Sequence, residues 1–372
     1  MRTVLCDTLG TELPIAGFTP SEHVAAALSR AGGLGVLGCV RFNDAEELDK
    51  VLGWMDANTD GKPYGVDIVM PAKVPAEGKQ VDLDKLIPDE HKAFVERTLA
   101  ELGVPELPEG TEERAGVLGW LHSVARSHVE VALEHRISLI ANALGSPPPD
   151  VIAQAHEHGV PVAALAGTAE HAARHVARGV DLVVAQGYEA GGHTGEIASM
   201  VLLPEVVDAV GDKVPVLAAG GIGSGRQVAA ALALGAAGAW TGSVWLATRE
   251  YLETMPESEA MQQALLAASS ADTVRTRIYT GKPARLLKTR WTEAWARPDA
   301  PEPLPMPLQN LLVSGAHNRI HAAADPSVVS MPAGQVIGGL HEVRAVADVV
   351  AELRTGFDTA VDRLAGIRDA GG

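Results

Sequence analysis

Cysteine is almost absent from this chain of 372 residues, with only Cys6 and Cys39. Two thiols cannot build a disulfide framework or a four-ligand zinc site, and both are expected to behave as small buried hydrophobes. Aromatic residues make up 4% of the chain, so the core has to be built from Ala, Val and Leu. Positive charge is short as well: Lys+Arg 30 against Asp+Glu 47 leaves a formal net charge of -17. That balance opposes nonspecific attraction to nucleic acid or to an anionic membrane. The opening Met1-Arg2-Thr3-Val4-Leu5-Cys6-Asp7 lacks the unbroken apolar core of a secretory signal. Val228–Ala247 has no charge over twenty positions, but eight are Ala and three are Gly. A buried helix followed by a buried strand accounts for that run better than a membrane span. The expectation is a cytoplasmic protein.

What is abundant is apolar and turn-forming residue: 47% hydrophobic, 39 Gly and 23 Pro, a globular composition with many tight turns. Eight short apolar runs read as strands: Leu13–Ala16, Gly35–Val40, Tyr64–Met70, Ile137–Ala141, Pro161–Leu165, Asp181–Ala185, Pro215–Ala219 and Gly238–Thr241. Most are apolar on consecutive residues, as parallel strands covered on both faces should be. Amphipathic helices are predicted between them at Ser21–Ala31, Ala45–Met55, Pro149–His158, Ala169–Arg178, Leu203–Val210 and Ser224–Leu234. Strand then helix, eight times, is the pattern of an α/β (β/α)8 TIM barrel. A doubly wound sheet would alternate in the same way, with a switch in strand order that sequence does not display.

The expected layout is a barrel over 1–248, with a surface excursion at about 71–113 that contains a helix at Pro88–Leu102. A longer helix is predicted at Arg114–Glu134. A mainly helical, lid-like segment follows over 249–335, with Trp291, Trp295 and a proline cluster at Pro298–Pro307. The region 336–372 closes the chain. There Val346, Val349, Val350, Leu353, Phe357, Val361 and Leu364 step by three or four and give one helical stripe.

Active groups of such barrels lie on the loops that follow the strands. After the sixth strand comes Gln186-Gly187-Tyr188-Glu189-Ala190-Gly191-Gly192-His193-Thr194-Gly195, where glycines let backbone approach a ligand. His193 can accept a proton near neutral pH, or it can merely cap a carbonyl. After the seventh strand, Gly220-Gly221-Ile222-Gly223-Ser224-Gly225 leads into a helix and offers bare amides to an anion. It is not the dinucleotide fingerprint, because the third glycine position holds Arg226 or Val228. At the eighth strand end, Trp240-Thr241-Gly242-Ser243 adds further donors. Loops seven and eight together form the usual phosphate site of these barrels, so a phosphate-bearing ligand is expected. Asp67 interrupts an apolar strand and either holds a ligand or sits near solvent. His156, His158, His171 and His175 fall on predicted helices without the spacing of a metal site, and solvated faces are expected for them.

These motifs resemble the nitronate monooxygenase (2-nitropropane dioxygenase) family. Ala185–Gly195, Ala219–Gly223 and Thr241-Gly242-Ser243 carry the likeness. Ala31-Gly32-Gly33-Leu34-Gly35, Gly281-Lys282-Pro283-Ala284-Arg285 and Ala333-Gly334-Gln335 support it. The resemblance implies an FMN-dependent barrel in which Gln186, Gly191 and Gly192 lie at the flavin and the turn from Gly221 to Gly223 holds its phosphate. Trp240, Thr241, Gly242 and Ser243 would complete the cradle, Asp67 would lie near the flavin, and His193 would be the active-site histidine. No metal ligand is implied.

Some positions depart from the family pattern. Asp67 stands where Asn is usual and Trp240 where Gln is common, and Leu13-Pro14-Ile15-Ala16 replaces Ala-Pro-Met. The implied activity is oxidation of an alkyl nitronate with O2 to a carbonyl compound and nitrite. The alternative is an NAD(P)H-dependent flavin enoyl reductase acting on an acyl thioester, with Lys288, Arg290, Trp291 and Trp295 near a long substrate. A phosphate-binding barrel without redox chemistry is a third class. The expected partners are a small-molecule substrate and O2, without nucleic acid or membrane, and a homodimer is compatible with this reading.

Overall fold

The computed structural model describes residues 1–70, 83–107 and 122–370. Eight parallel strands close into a barrel: β1 Ile15–Thr19, β2 Leu34–Gly38, β3 Tyr64–Asp67, β4 Ile137–Asn142, β5 Val162–Ala166, β6 Leu182–Gln186, β8 Val216–Ala219 and β9 Gly238–Thr241. Closure is the pairing of β1 with β9, where Ala16 lies opposite Trp240. The eight runs read from the sequence are the eight staves, with ends that differ by at most three residues.

Helices α1 Val4–Leu9, α2 Glu22–Arg30 and α3 Ala45–Asn58 precede β3, and α4 Asp89–Leu102 and α5 His122–Leu133 follow it. Next come α6 Pro149–Glu157, α7 Ala169–Val176, α8 Ser199–Val210 and α9 Gly225–Ala233. Beyond the barrel lie α10 Arg249–Thr254, α11 Glu259–Ala267, α12 Arg290–Ala294, α13 Leu308–Ala323 and α14 Val346–Ala370. Polar caps start several of them: Ser21 accepts from Val24 N and Thr168 from His171 N, which satisfies amides that a helix leaves bare. The expected excursion at 71–113 and the helix expected at 114–134 lie partly outside the described residues. The parts within are the turn Leu83–Leu86, α4 and α5.

The strand period of two divides the core. Leu34, Val36, Leu139, Ala163, Val184, Leu217 and Trp240 point into the barrel, while Val66, Ile140, Val183 and Val216 pack outward on the helices. The C-terminal α14 lies against α9 and α2.

After the barrel, β10 Thr273–Thr276 and β11 Ala284–Leu287 form an antiparallel hairpin. Its second strand pairs with β7, Gly192–His193, so the hairpin is stitched to the loop after β6. Trp291 and Trp295, expected near a long substrate, are packed inside the protein instead. Both are buried, and Phe94 of α4 meets Trp295 edge-on at 4.8 Å, in a cluster that includes α13 residues Val313 and Ile320. Burying two indoles is more favourable than exposing them, so this pair joins the post-barrel helices to α4.

Candidate active site

Three side chains face inward towards the carboxyl-terminal end of the barrel. Val66 packs outward, so Asp67 one residue on turns inward at the end of β3. Val184 and Trp240 belong to the inner cluster, which places Gln186 and Trp240 on the same face from β6 and β9. Asp67 is 2% exposed, and one of its carboxylate oxygens, Oδ1, has no hydrogen-bond partner. Burial pushes this carboxyl up to about 7, against a smaller opposing pull from the Ala143 N–H. An orphaned buried oxygen of this kind suits a ligand group at the mouth.

The hairpin holds His193 in place. Opposite Ala284 in the β7–β11 ladder, it shares a 2.7 Å hydrogen bond between Nε2 and the buried Thr280 hydroxyl. Burial, and secondarily the Lys282 ammonium, pulls the imidazole down to about 4, so it is neutral at pH 7. Around it the loop is clamped by two guanidinium groups. Arg285, 2% exposed, donates through Nε and Nη2 to the Tyr188 carbonyl and stacks 4.4 Å above the Tyr188 ring. Arg275 donates to both the hydroxyl and the carbonyl of Thr194.

The candidate phosphate cradle fits an anion. Gly220 and Gly221 adopt φ of 99° and 71°, which only glycine takes without strain. Among the described residues, the N–H groups of Gly221 and Ile222 donate to no protein group, and an added Cβ at Gly242 would meet nothing within 4 Å. The nearest acid, Glu189, is held by two bonds from Ser199 N. Uncommitted amides beside the open space at Gly242 suit a phosphate, while the Glu189 side chain lies against Gly221.

Other residues singled out from sequence serve the framework around this cradle. Thr241 donates to the Ala16 carbonyl and accepts from Trp245 Nε1, so its hydroxyl is used within the protein. Ser243 Oγ accepts from Gly334 N, and Gly223 approaches Val336. Gly191 lies so close to the Ala333-Gly334 segment that a Cβ there would sit 2.8 Å from Gly334 N. Gly192 takes a positive φ of 75° at the start of β7.

A cavity of about 450 Å³ opens beside His193 and Gln186, between the loops after β4, β5 and β6. His175 forms part of its wall. It was expected on a solvated face, but it is 5% exposed and both its ring nitrogens are engaged. Nε2 lies 3.1 Å from the Leu165 carbonyl, which can only accept, so Nε2 carries the proton. Burial lowers the pKa of this ring, and the neutral imidazole accepts at Nδ1 from the Ser146 hydroxyl at 2.7 Å. His156, His158 and His171 are exposed, as expected. Sequence reasoning also missed Asn142, which accepts from Met70 N and donates to the Met70 and Gly145 carbonyls, tying two mouth loops together. Its signal was an amide ending an otherwise apolar strand.

The nitronate monooxygenase family model matches residues 10–356. The chain belongs to the nitronate monooxygenase family. Similar proteins include a Mycobacterium tuberculosis protein named a monooxygenase, 50% identical over 380 residues that cover 99% of each chain. Among solved structures, nitroalkane oxidase from Streptomyces ansochromogenes is 29% identical with a TM-score of 0.79, covering 97% of this chain and all of the other. FabK from Thermotoga maritima is 27% identical with a TM-score of 0.73, covering 99% of both. The protein is accordingly an enzyme of this family, a flavin-dependent oxidoreductase on a (β/α)8 barrel. Among the described residues no helix is long and apolar enough to cross a membrane.

Proposed function

We propose that the enzyme binds FMN and oxidises alkyl nitronates with O2 to a carbonyl compound and nitrite. The observation that carries this reading is a half-buried, neutral His193 facing a cavity that also contains Lys282, at the mouth of the barrel. Bound FMN would supply the electron-transfer chemistry. The chain's own residues supply position and charge. The N–H groups of Gly221 and Ile222 and the open space at Gly242 would hold the phosphate, with Gly223, Trp240, Thr241 and Ser243 supporting them. Asp67 and Gln186 would face the flavin, with Gly191 and Gly192 in the loop beside it. Lys282 attracts the anionic nitronate, while the neutral His193 donates a hydrogen bond to its oxygens.

The reading also places the enzyme in the cytoplasm, with O2 as electron acceptor and without nucleic acid or membrane partners. It treats 1–248 as the barrel, 249–335 as a lid-like segment and 336–372 as a closing region. A second reading, an NAD(P)H-dependent enoyl reductase acting on an acyl thioester, draws support from the cavity volume of about 450 Å³, more than a short nitronate fills. Anaerobic flavin bleaching separates the two. Propionate 3-nitronate should bleach the flavin while NADH and NADPH leave it oxidised; the reverse pattern supports the reductase.

A further inference from the structure

The cavity beside His193 has a charge composition opposite to that of the chain. Acids outnumber bases 47 to 30 overall, yet none of the sixteen residues lining this cavity is Asp or Glu. Four can carry positive charge besides the two histidines already described as neutral: Lys282, His171, Arg174 and Arg178. Such local reversal concentrates anions where the protein as a whole repels them.

These groups are poorly compensated. Lys282 and Arg178 make no ion pair among the described residues, and burial alone holds the Lys282 ammonium below its ordinary value. Arg174 has Glu170 at 3.4 Å, but that carboxylate side chain is 80% exposed, so solvent screens the pair. Arg174 on α7 and Arg178 just past its end are both exposed and both line this end of the cavity. Two guanidinium forks on one wall match the several oxygens of a phosphate better than a single carboxylate does.

We propose that the end of the cavity formed by Arg174 and Arg178 is a phosphate subsite for the molecule that reacts at His193. The inference rests on the reading of His193 as the redox end of the same cavity. The ligand is a phosphate ester or pyrophosphate, carried either by the tail of the oxidised or reduced substrate or by a nicotinamide nucleotide. Lys282 lies on the His193 side and serves the reacting group.

Calorimetric titration of the flavin-loaded enzyme with inorganic pyrophosphate tests the subsite. Wild type should bind it, more weakly as ionic strength rises, and Arg174→Gln/Arg178→Gln should bind at least 10-fold more weakly with unchanged flavin content and Tm. Arg174→Lys/Arg178→Lys should recover part of the loss. Absent binding to wild type, or equal binding to the double glutamine variant, overturns the proposal. Titrations with NADH and coenzyme A then identify the source by which of them loses affinity in the double variant; loss for neither also overturns it. If nitronates and nicotinamides all fail to bleach the flavin while pyrophosphate binding still depends on the two arginines, the redox reading falls and the anion site stands.

Discussion

His193 Nε2 and Thr280 Oγ1, separated by 87 positions in sequence, are joined by a 2.7 Å hydrogen bond. The bond exists because β11 adds itself to β7, carrying the 280–283 turn across the mouth. A residue beyond the barrel thereby orients the imidazole that the barrel loop presents.

His193→Asn should retain flavin and lose 10²- to 10⁴-fold in the rate of anaerobic flavin reduction, the usual value of a positioned acid or base. Because burial holds the wild-type imidazole down to about 4, the ratio of kcat/KM between wild type and His193→Asn should stay level from pH 8 to about 5 and decline only below that, whereas Asp67, titrating near 7, acts on both enzymes alike. A decline centred near 6.5 would mean that the reacting histidine is solvated, and undiminished turnover in the variant would remove it from the chemistry.

The barrel was legible because consecutive apolar residues bounded by glycines leave few alternatives for strands such as Leu182–Gln186. Strand-to-helix loops then pointed to Gln186, His193 and the glycine turns without any structure. Residues whose role depends on distant partners stayed hidden. Arg285 looks like any cation until β11 pairs with β7, and His175 looks solvated until the Ser146 loop folds over it. Trp291 and Trp295 looked available to a substrate because no local pattern announces that α4 covers them.

Arg285→Lys should lower stability by about 2–4 kcal/mol, since a buried ammonium cannot reproduce the fork onto the Tyr188 carbonyl or the stack on its ring. The loop carrying Gln186 and His193 should loosen with it. Thermal unfolding and the ratio of flavin to protein absorbance would both fall; an unchanged ratio would show that the clamp serves folding alone.

Asp67→Asn should abolish a pH effect on stability. A carboxyl raised by burial to about 7 stabilises the fold below its unfolded value of 3.8 and loses that contribution as pH climbs to 7. Flavin-free Asp67→Asn should therefore match wild type near pH 4 and exceed it at pH 8. The expected excess is about 2–4 kcal/mol at 1.36 kcal/mol per pH unit. Urea unfolding at the two pH values measures it, and equal stability at pH 8 would mean the carboxyl is solvated.

His175→Ala should cost about 2–4 kcal/mol, because it leaves the Ser146 hydroxyl and the Leu165 carbonyl without partners in a buried wall. The wild-type ring, lowered by burial, is neutral in the folded state while the unfolded ring takes up a proton near 6.5. Its contribution is therefore present above that pH and shrinks as pH falls. The gap between wild type and His175→Ala should be larger at pH 7.5 than at pH 5 in denaturant unfolding. His175→Gln, whose amide can donate to one partner and accept from the other, should recover part of the stability without the pH dependence. Recovery that still varied with pH would place the titrating group elsewhere in the cavity wall.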